Sequence, residues 1–296
     1  MNHKFLQLVL VAFYLLSLVS CKKKEINYIP YYQKVNTIDS IYRIAGNSQL
    51  ALEEYKSLFE KYEPKNQERI KEYETYVTLS DKYNIDFGGK KSLNKLILLI
   101  APYGDYYKLY FPLFKKYGID STEVKEKISN WKKGLNQALI DSFTIAIKRD
   151  QYLRHIDFTV QSKNLKKNAA FLIWTFNKYG FPTPQKIGTM GHDNTLFIMP
   201  TFLTHMVESK EHYPYIRAKL YEYLKSGDCI PRDYALMIDA YHLDHYGIAY
   251  YSTASNYELS SKIDSAKINH HRKSIGLPSL KHTAIIKKNF LKHNEK

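Results

Sequence analysis

The residues with the means to do chemistry gather in the second half of the chain. Asp150 and Arg154 stand four apart in Asp150-Gln151-Tyr152-Leu153-Arg154, a spacing that puts both on one face of a helix and lets them pair. His205 and Asp239 lie on later segments. Brought together, the four supply an acid, a base and a cation, the parts of a general acid–base site. The alternative is a buried ion-pair network that sets the register of packed helices. Asp239-x-x-His242-x-x-His245 is the one run with metal-ligand spacing, since steps of three return near one helix face and neutral imidazoles suit zinc. Its alternative is a pair of partly exposed histidines beside Asp244. Ser252-Thr253 offers hydroxyls without a Gly-x-Ser-x-Gly elbow, and His270-His271, as neighbours, point two ways on a helix. There is no phosphate loop and no dinucleotide fingerprint, so no cofactor is expected.

The elements that must carry these residues read as helices. Asn47 or Ser48 can cap a helix over 48–63 striped by Leu52, Tyr55, Phe59 and Tyr62, which Pro64 stops. A second runs over 66–83 on Ile70, Tyr73, Val77 and Tyr83. Gly88-Gly89 breaks the chain before a buried helix over 93–101, and another helix spans 104–117, with Gly118 closing it. Asp120 or Ser121 caps the next. A long helix carries residues 148–154. Gly180 with Pro182, Gly227 and Gly247 end further helices, Pro231 suits a first turn, and Gly276-Leu277-Pro278 stops a helix begun near Glu258. A short extended piece is expected at 249–252. The fold class is mostly α: N-terminal antiparallel hairpins over 46–135 packed on a helical domain over 136–280. Residues 21–45 read as tether and linker, because Tyr28, Pro30, Tyr31 and Tyr32 show no helical spacing, and 281–296 read as a basic tail.

The chain carries 44 Lys+Arg against 29 Asp+Glu, a net charge of +15. Nine of the basic residues lie in 262–296 with only Asp264 and Glu295 to balance them. A charge of this size invites nucleic acid or an anionic lipid surface. At the other end, Met1-Asn2-His3-Lys4 precedes an apolar run from Phe5 to Leu18 interrupted only by Gln7 and Ser17, which is long enough for an export signal and short for a spanning helix. Leu18-Val19-Ser20-Cys21 follows it.

Those four residues resemble the lipobox of bacterial lipoproteins. The resemblance implies cleavage of 1–20 as a signal peptide and diacylglycerol on the Cys21 thiol, followed by acylation of the new amine. It implies a cell-envelope protein anchored in the membrane through Cys21, and Lys22 rather than Asp at the next position implies the outer membrane. Export argues against nucleic acid as a partner. With Cys21 committed to lipid, Cys229 has no partner for an internal disulfide. Residues 46–62 loosely resemble one helix of a tetratricopeptide repeat, without a second copy at a fixed period, and such a region binds an envelope protein or peptide more often than it catalyses.

Over 136–280 the order of motifs resembles an uncharacterised domain family of exported bacterial proteins. Asp150-Gln151 with Arg154, Gly180-Phe181-Pro182 leading to Gly188, His205, Asp239, the turn from Gly247 to Tyr250-Tyr251-Ser252-Thr253, and Arg272 before Gly276-Leu277 stand in the family's order. Thr204, Ala240 and Ser252 stand where its pattern has Gln, Arg and Gly. The family has no established activity to carry over. Two functions follow as expectations: a membrane-anchored binding or structural module, or a hydrolase-like envelope enzyme with a polar site in the C-terminal domain.

Overall fold

A computed structural model describes residues 26–66, 69–253 and 264–294. The stretch expected to be a signal peptide, 1–20, and Cys21, where lipidation is expected, lie outside the described residues. The fold is mostly α. Among the described residues there is no strand, only an isolated bridge between Met190 and Leu196, and the expected extended piece at 249–252 is a bend. No described helix is long and apolar enough to cross a membrane.

The first helix, α1 (Ile29–Arg43), occupies the stretch expected to be a linker. Pro30 does not prevent it, because it sits in the first turn, where its missing N–H has no intrahelical partner to lose. The buried residues Tyr28, Tyr31, Tyr32, Val35, Ile38 and Asp39 do recur at helical spacing; the stripe is visible only when the window extends past Asn36. A short turn through Gly46 folds α2 (Ser48–Lys61) back on α1, and the Asn47 side chain caps α2 by accepting from Leu50 N.

After α2 the chain stays irregular until α3 (Glu72–Lys82), later than periodicity alone places it. The intervening Asn66 side chain is buried and donates to the Gly227 carbonyl at 2.7 Å. Next come α4 (Gly89–Ile100), a kinked turn at Tyr103-Gly104, α5 (Phe111–Lys116) and α6 (Ser121–Lys133), whose cap Asp120 accepts from Thr122 N and Glu123 N. The second half consists of α7 (Gln137–Gln151), α8 (Phe158–Tyr179), α9 (Pro184–Ile187), α10 (Met199–His205), α11 (Tyr213–Ser226), α12 (Pro231–Tyr246), α13 (Ser265–Ser274) and α14 (Leu280–Asn294). The residues expected to form a free basic tail are therefore helix α14, which buries His282 and Ile286.

One apolar core runs from Tyr28 to Ile286 through both halves. The α1 helix is wedged into it. Its Gln33 and Asn36 side chains donate to the carbonyls of Lys273 and Gly276, each at 2.8 Å. Gly227 and Gly276 both have φ +82, and a Cβ on either would stand 2.6 Å from the Tyr28 ring or 2.5 Å from Tyr32 Cβ. Glycine is needed at both positions so that α1 can lie against the neighbouring backbone.

If α1 belongs to the core, Ile38→Ala, at a site with 0 % exposure, should lower unfolding free energy by about 2–5 kcal/mol in urea titration. An unchanged midpoint would return 26–43 to the status of a tether.

Candidate functional site

The α7 helix ends at Gln151, and the chain leaves it through two left-handed residues, Leu153 (φ +54) and His155 (φ +65). Arg154 therefore lies beyond the helix, not on its face. It still approaches Asp150, with Nη1 3.7 Å from Oδ1, and its Nη2 pairs with Glu208. His205, the last residue of α10, brings Nδ1 to 2.6 Å from Asp150 Oδ2, and Gln151 Nε2 donates to the same oxygen at 2.6 Å. Gln161 on α8 donates to Glu208 at 2.9 Å and accepts from His155 N at 2.9 Å. Asp150 is 5 % exposed, and the Arg154 guanidinium is also buried. Three of the four residues singled out by sequence thus form one network, to which the structure adds Glu208 and Gln161.

Asp239 is elsewhere. At 2 % exposure, it accepts from Tyr251 N and from Thr253 N at 2.7 Å, and from the Thr253 hydroxyl. Arg272 takes the other side of the same turn. It donates to Tyr251 O at 2.7 Å, to Pro278 O at 2.6 Å and to the Thr283 hydroxyl at 2.6 Å. The 250–253 turn is gripped between an acid and a cation. Ser252, where the resembled pattern has glycine, sits at φ +52, a region that favours glycine. The catalytic convergence expected of Asp239 with Asp150, Arg154 and His205 is not formed, because the Asp239 carboxylate is spent on this turn.

The metal spacing does not assemble either. With Asp239 engaged, His242 packs on the Tyr250 ring at 4.7 Å, and His245 stacks on Tyr241 at 4.0 Å and donates from Nδ1 to the Tyr241 carbonyl. Among the described residues no group of three His, Cys, Asp or Glu side chains is placed to hold a metal ion. His271, by contrast, stacks flat on Tyr250, with centroids 3.9 Å apart. Burial, helped by the nearby Arg217, pushes the His242 imidazole below its ordinary value near 6.5.

Two further polar centres were not legible in the sequence. Asp39, at 0 % exposure, receives His282 Nε2 at 2.7 Å and Arg43 Nε at 2.5 Å, while Ser40 Oγ lies 3.3 Å from His282 Nδ1. Hydroxyl, imidazole and carboxylate are the residue types of a hydrolase. Here both ring nitrogens are already engaged by neighbours on one helix, so the group locks α14 to α1. Its parts lie in the stretches read as linker and tail, which is why periodicity alone does not find them. The buried Glu74 accepts from Tyr106 at 2.5 Å and from Tyr110, and Lys71 contacts Tyr106. Burial first, then the Glu74 charge, pushes both phenols well above their usual range.

A groove of about 490 Å³ beside α11 is lined by Pro214, Arg217, Ala218, Tyr221 and Tyr234, and by none of Asp150, Arg154, His205 or Asp239.

Asp150→Ala should cost about 1–3 kcal/mol, because it leaves the His205 and Gln151 donors without their acceptor and the buried Arg154 guanidinium with Glu208 alone. A melting temperature equal to wild type would show the network to be decoration. The His242 shift carries a pH signature. The folded chain holds its imidazole neutral more strongly than the unfolded chain does. Its contribution to stability is therefore full above about pH 6.5 and lost as the pH falls toward the depressed folded value. Urea midpoints should fall less on acidification from pH 7 to 5 in His242→Gln than in wild type; equal falls would remove His242 from the account.

No protein-family model, curated protein or solved structure matches this chain, so its geometry and its motifs carry the functional argument alone.

Proposed function

We propose that this chain is a lipoprotein of the bacterial cell envelope, anchored through acylated Cys21 at the outer membrane, and that its helical body is a binding or structural module. The observation that carries the module reading is the state of the buried acids. Asp39 and Asp239 have both oxygens engaged by donors of the fold itself, and Asp150 has Oδ2 engaged by His205 and Gln151 with Arg154 Nη1 3.7 Å from Oδ1; acids held in this way fix packing. The lipobox at Leu18-Val19-Ser20-Cys21 supports the anchor, and the basic surplus of the chain suits an anionic envelope surface. Acylation at Cys21 supplies two or three chains, enough for stable attachment. The resemblance of 136–280 to a domain family of exported bacterial proteins supports the same compartment. An envelope protein or peptide is the partner this reading calls for.

One observation favours a hydrolase-like alternative: Asp150 orients the His205 imidazole as an acid orients a general base. Against it, among the described residues no Ser, Thr or Cys side chain is hydrogen-bonded to His205. Near-normal stability of Asp150→Ala together with loss of a ligand's binding would shift the balance toward this alternative.

The anchor is tested by mass spectrometry of the N-terminal peptide and by membrane fractionation. Wild type should start at an acylated Cys21 and sediment with membranes, whereas Cys21→Ala should stay unprocessed or leave the membrane. An unmodified Cys21 at the mature N-terminus ends the lipoprotein reading.

A further inference from the structure

Residues 152–158, between α7 and α8, turn three large apolar side chains into water: Tyr152 is 62 % exposed, Ile156 77 % and Phe158 74 %. One exposed apolar side chain needs no explanation, but three within seven residues do. The loop is held firmly. Leu153 and His155 adopt the left-handed region that L-residues rarely enter. The Leu153 carbonyl accepts from Ile156 N and from Asp157 N, each at 3.0 Å, and Asp157 caps α8. Arg154 turns inward to Asp150 and Glu208, while its neighbours turn out. The ion network described above therefore works as the root of this tip. A loop built this way displays its apolar side chains; it does not merely fail to bury them.

Beside the tip, α8 presents cations. Lys163, Lys166 and Lys167 are exposed, and none is ion-paired among the described residues. Phe158, Thr159, Ser162, Lys163 and Lys166 line one open hollow of about 520 Å³. Further along the helix, Trp174 is exposed under the Lys178 ammonium, 5.2 Å from its ring centre. Two of the nearby acids are engaged: Asp157 caps α8, and Glu208 holds Arg154 and Gln161.

We propose that this surface docks on an anionic lipid bilayer, with Tyr152, Ile156 and Phe158 entering the boundary between headgroups and acyl chains and Lys163, Lys166 and Lys167 lying against lipid phosphates. Aromatic and aliphatic side chains projecting beside uncompensated lysines match the two layers of a membrane surface, one apolar and one anionic. The proposal rests on the envelope reading only for where such a membrane is met.

The test uses the full mature protein carrying Cys21→Ser and Phe158→Cys, labelled with an environment-sensitive fluorophore; the remaining cysteine, Cys229, is buried, so the label goes to the tip. A label at the exposed Lys56→Cys is the control, and circular dichroism confirms the fold of each variant. Vesicles of phosphatidylcholine, with or without phosphatidylglycerol and carrying brominated acyl chains, are then added. At the tip, anionic vesicles should give a blue shift and quenching that high salt and Lys163→Glu/Lys166→Glu/Lys167→Glu abolish; the control label should stay unmoved. Equal responses at the two positions, or indifference to lipid charge and to the lysine reversal, would overturn the proposal. So would a blue shift without vesicles in a chain that sediments as a dimer, because the tip would then be a self-interface. Because Cys21→Ser takes the anchor out of the measurement and the vesicles are supplied in solution, failure of the lipoprotein reading and failure of this proposal stay distinguishable.

Discussion

A carboxylate removed from water must receive its hydrogen bonds from the protein, at a desolvation cost of several kcal/mol per ion. Asp39, Asp150 and Asp239 are all in this position, and each is satisfied by groups that the chain brings from elsewhere. His282 reaches Asp39 across 243 positions, His205 reaches Asp150 across 55, and Tyr251 and Thr253 bend back 12 and 14 residues to Asp239. Each acid is thereby a register mark. If its helix slides by a turn, a charge is left in the core without partners. In a chain so rich in lysine, this is what selects one packing of many short helices from the others their apolar stripes allow.

The most consequential of these marks is Asp39, because it makes the first and last described helices a single unit. The α1 helix touches α11's end through Tyr28 N and the Lys225 carbonyl, the α13 end through Gln33 and Asn36, and α14 through His282. The first and last described helices are thus core, not appendages. Under the lipoprotein reading, this leaves only residues 22–27 between the acylated cysteine and the folded body. A leash of that length spans at most about 25 Å even when fully extended. The body would stand close enough to a bilayer for its surface chemistry to matter.

The motifs singled out by their order over 136–280 divide into two physical tasks. Asp150, Arg154 and His205, joined by Glu208 and Gln161, pin the chain where it leaves α7. Asp239 and Arg272 grip the turn at 250–253, where Ser252 adopts a glycine-like backbone. Spacing along the chain made one site of them, because acids, bases and cations in a common order look alike whether they converge or not. Both networks hold backbone or neighbouring charges of the fold, as expected of groups that hold a shape.

What the sequence determined is what depends on neighbours a few residues away. The caps at Asn47 and Asp120, the stops at Gly180, Gly227 and Gly247, and the mostly α class follow from hydrogen bonds and stripes that close within one helix. The pair of Asp150 with Arg154 was visible in the same way, although the helix ends between them. Only the tertiary structure decided that 29–43 and 280–294 are packed helices, that Asp239 serves a turn, and that Asp39 belongs to His282. The physical reason is that tyrosines, lysines and a proline carry weak local preferences. Their burial depends on surfaces supplied by segments hundreds of residues away, and a local pattern contains no record of which surface arrives.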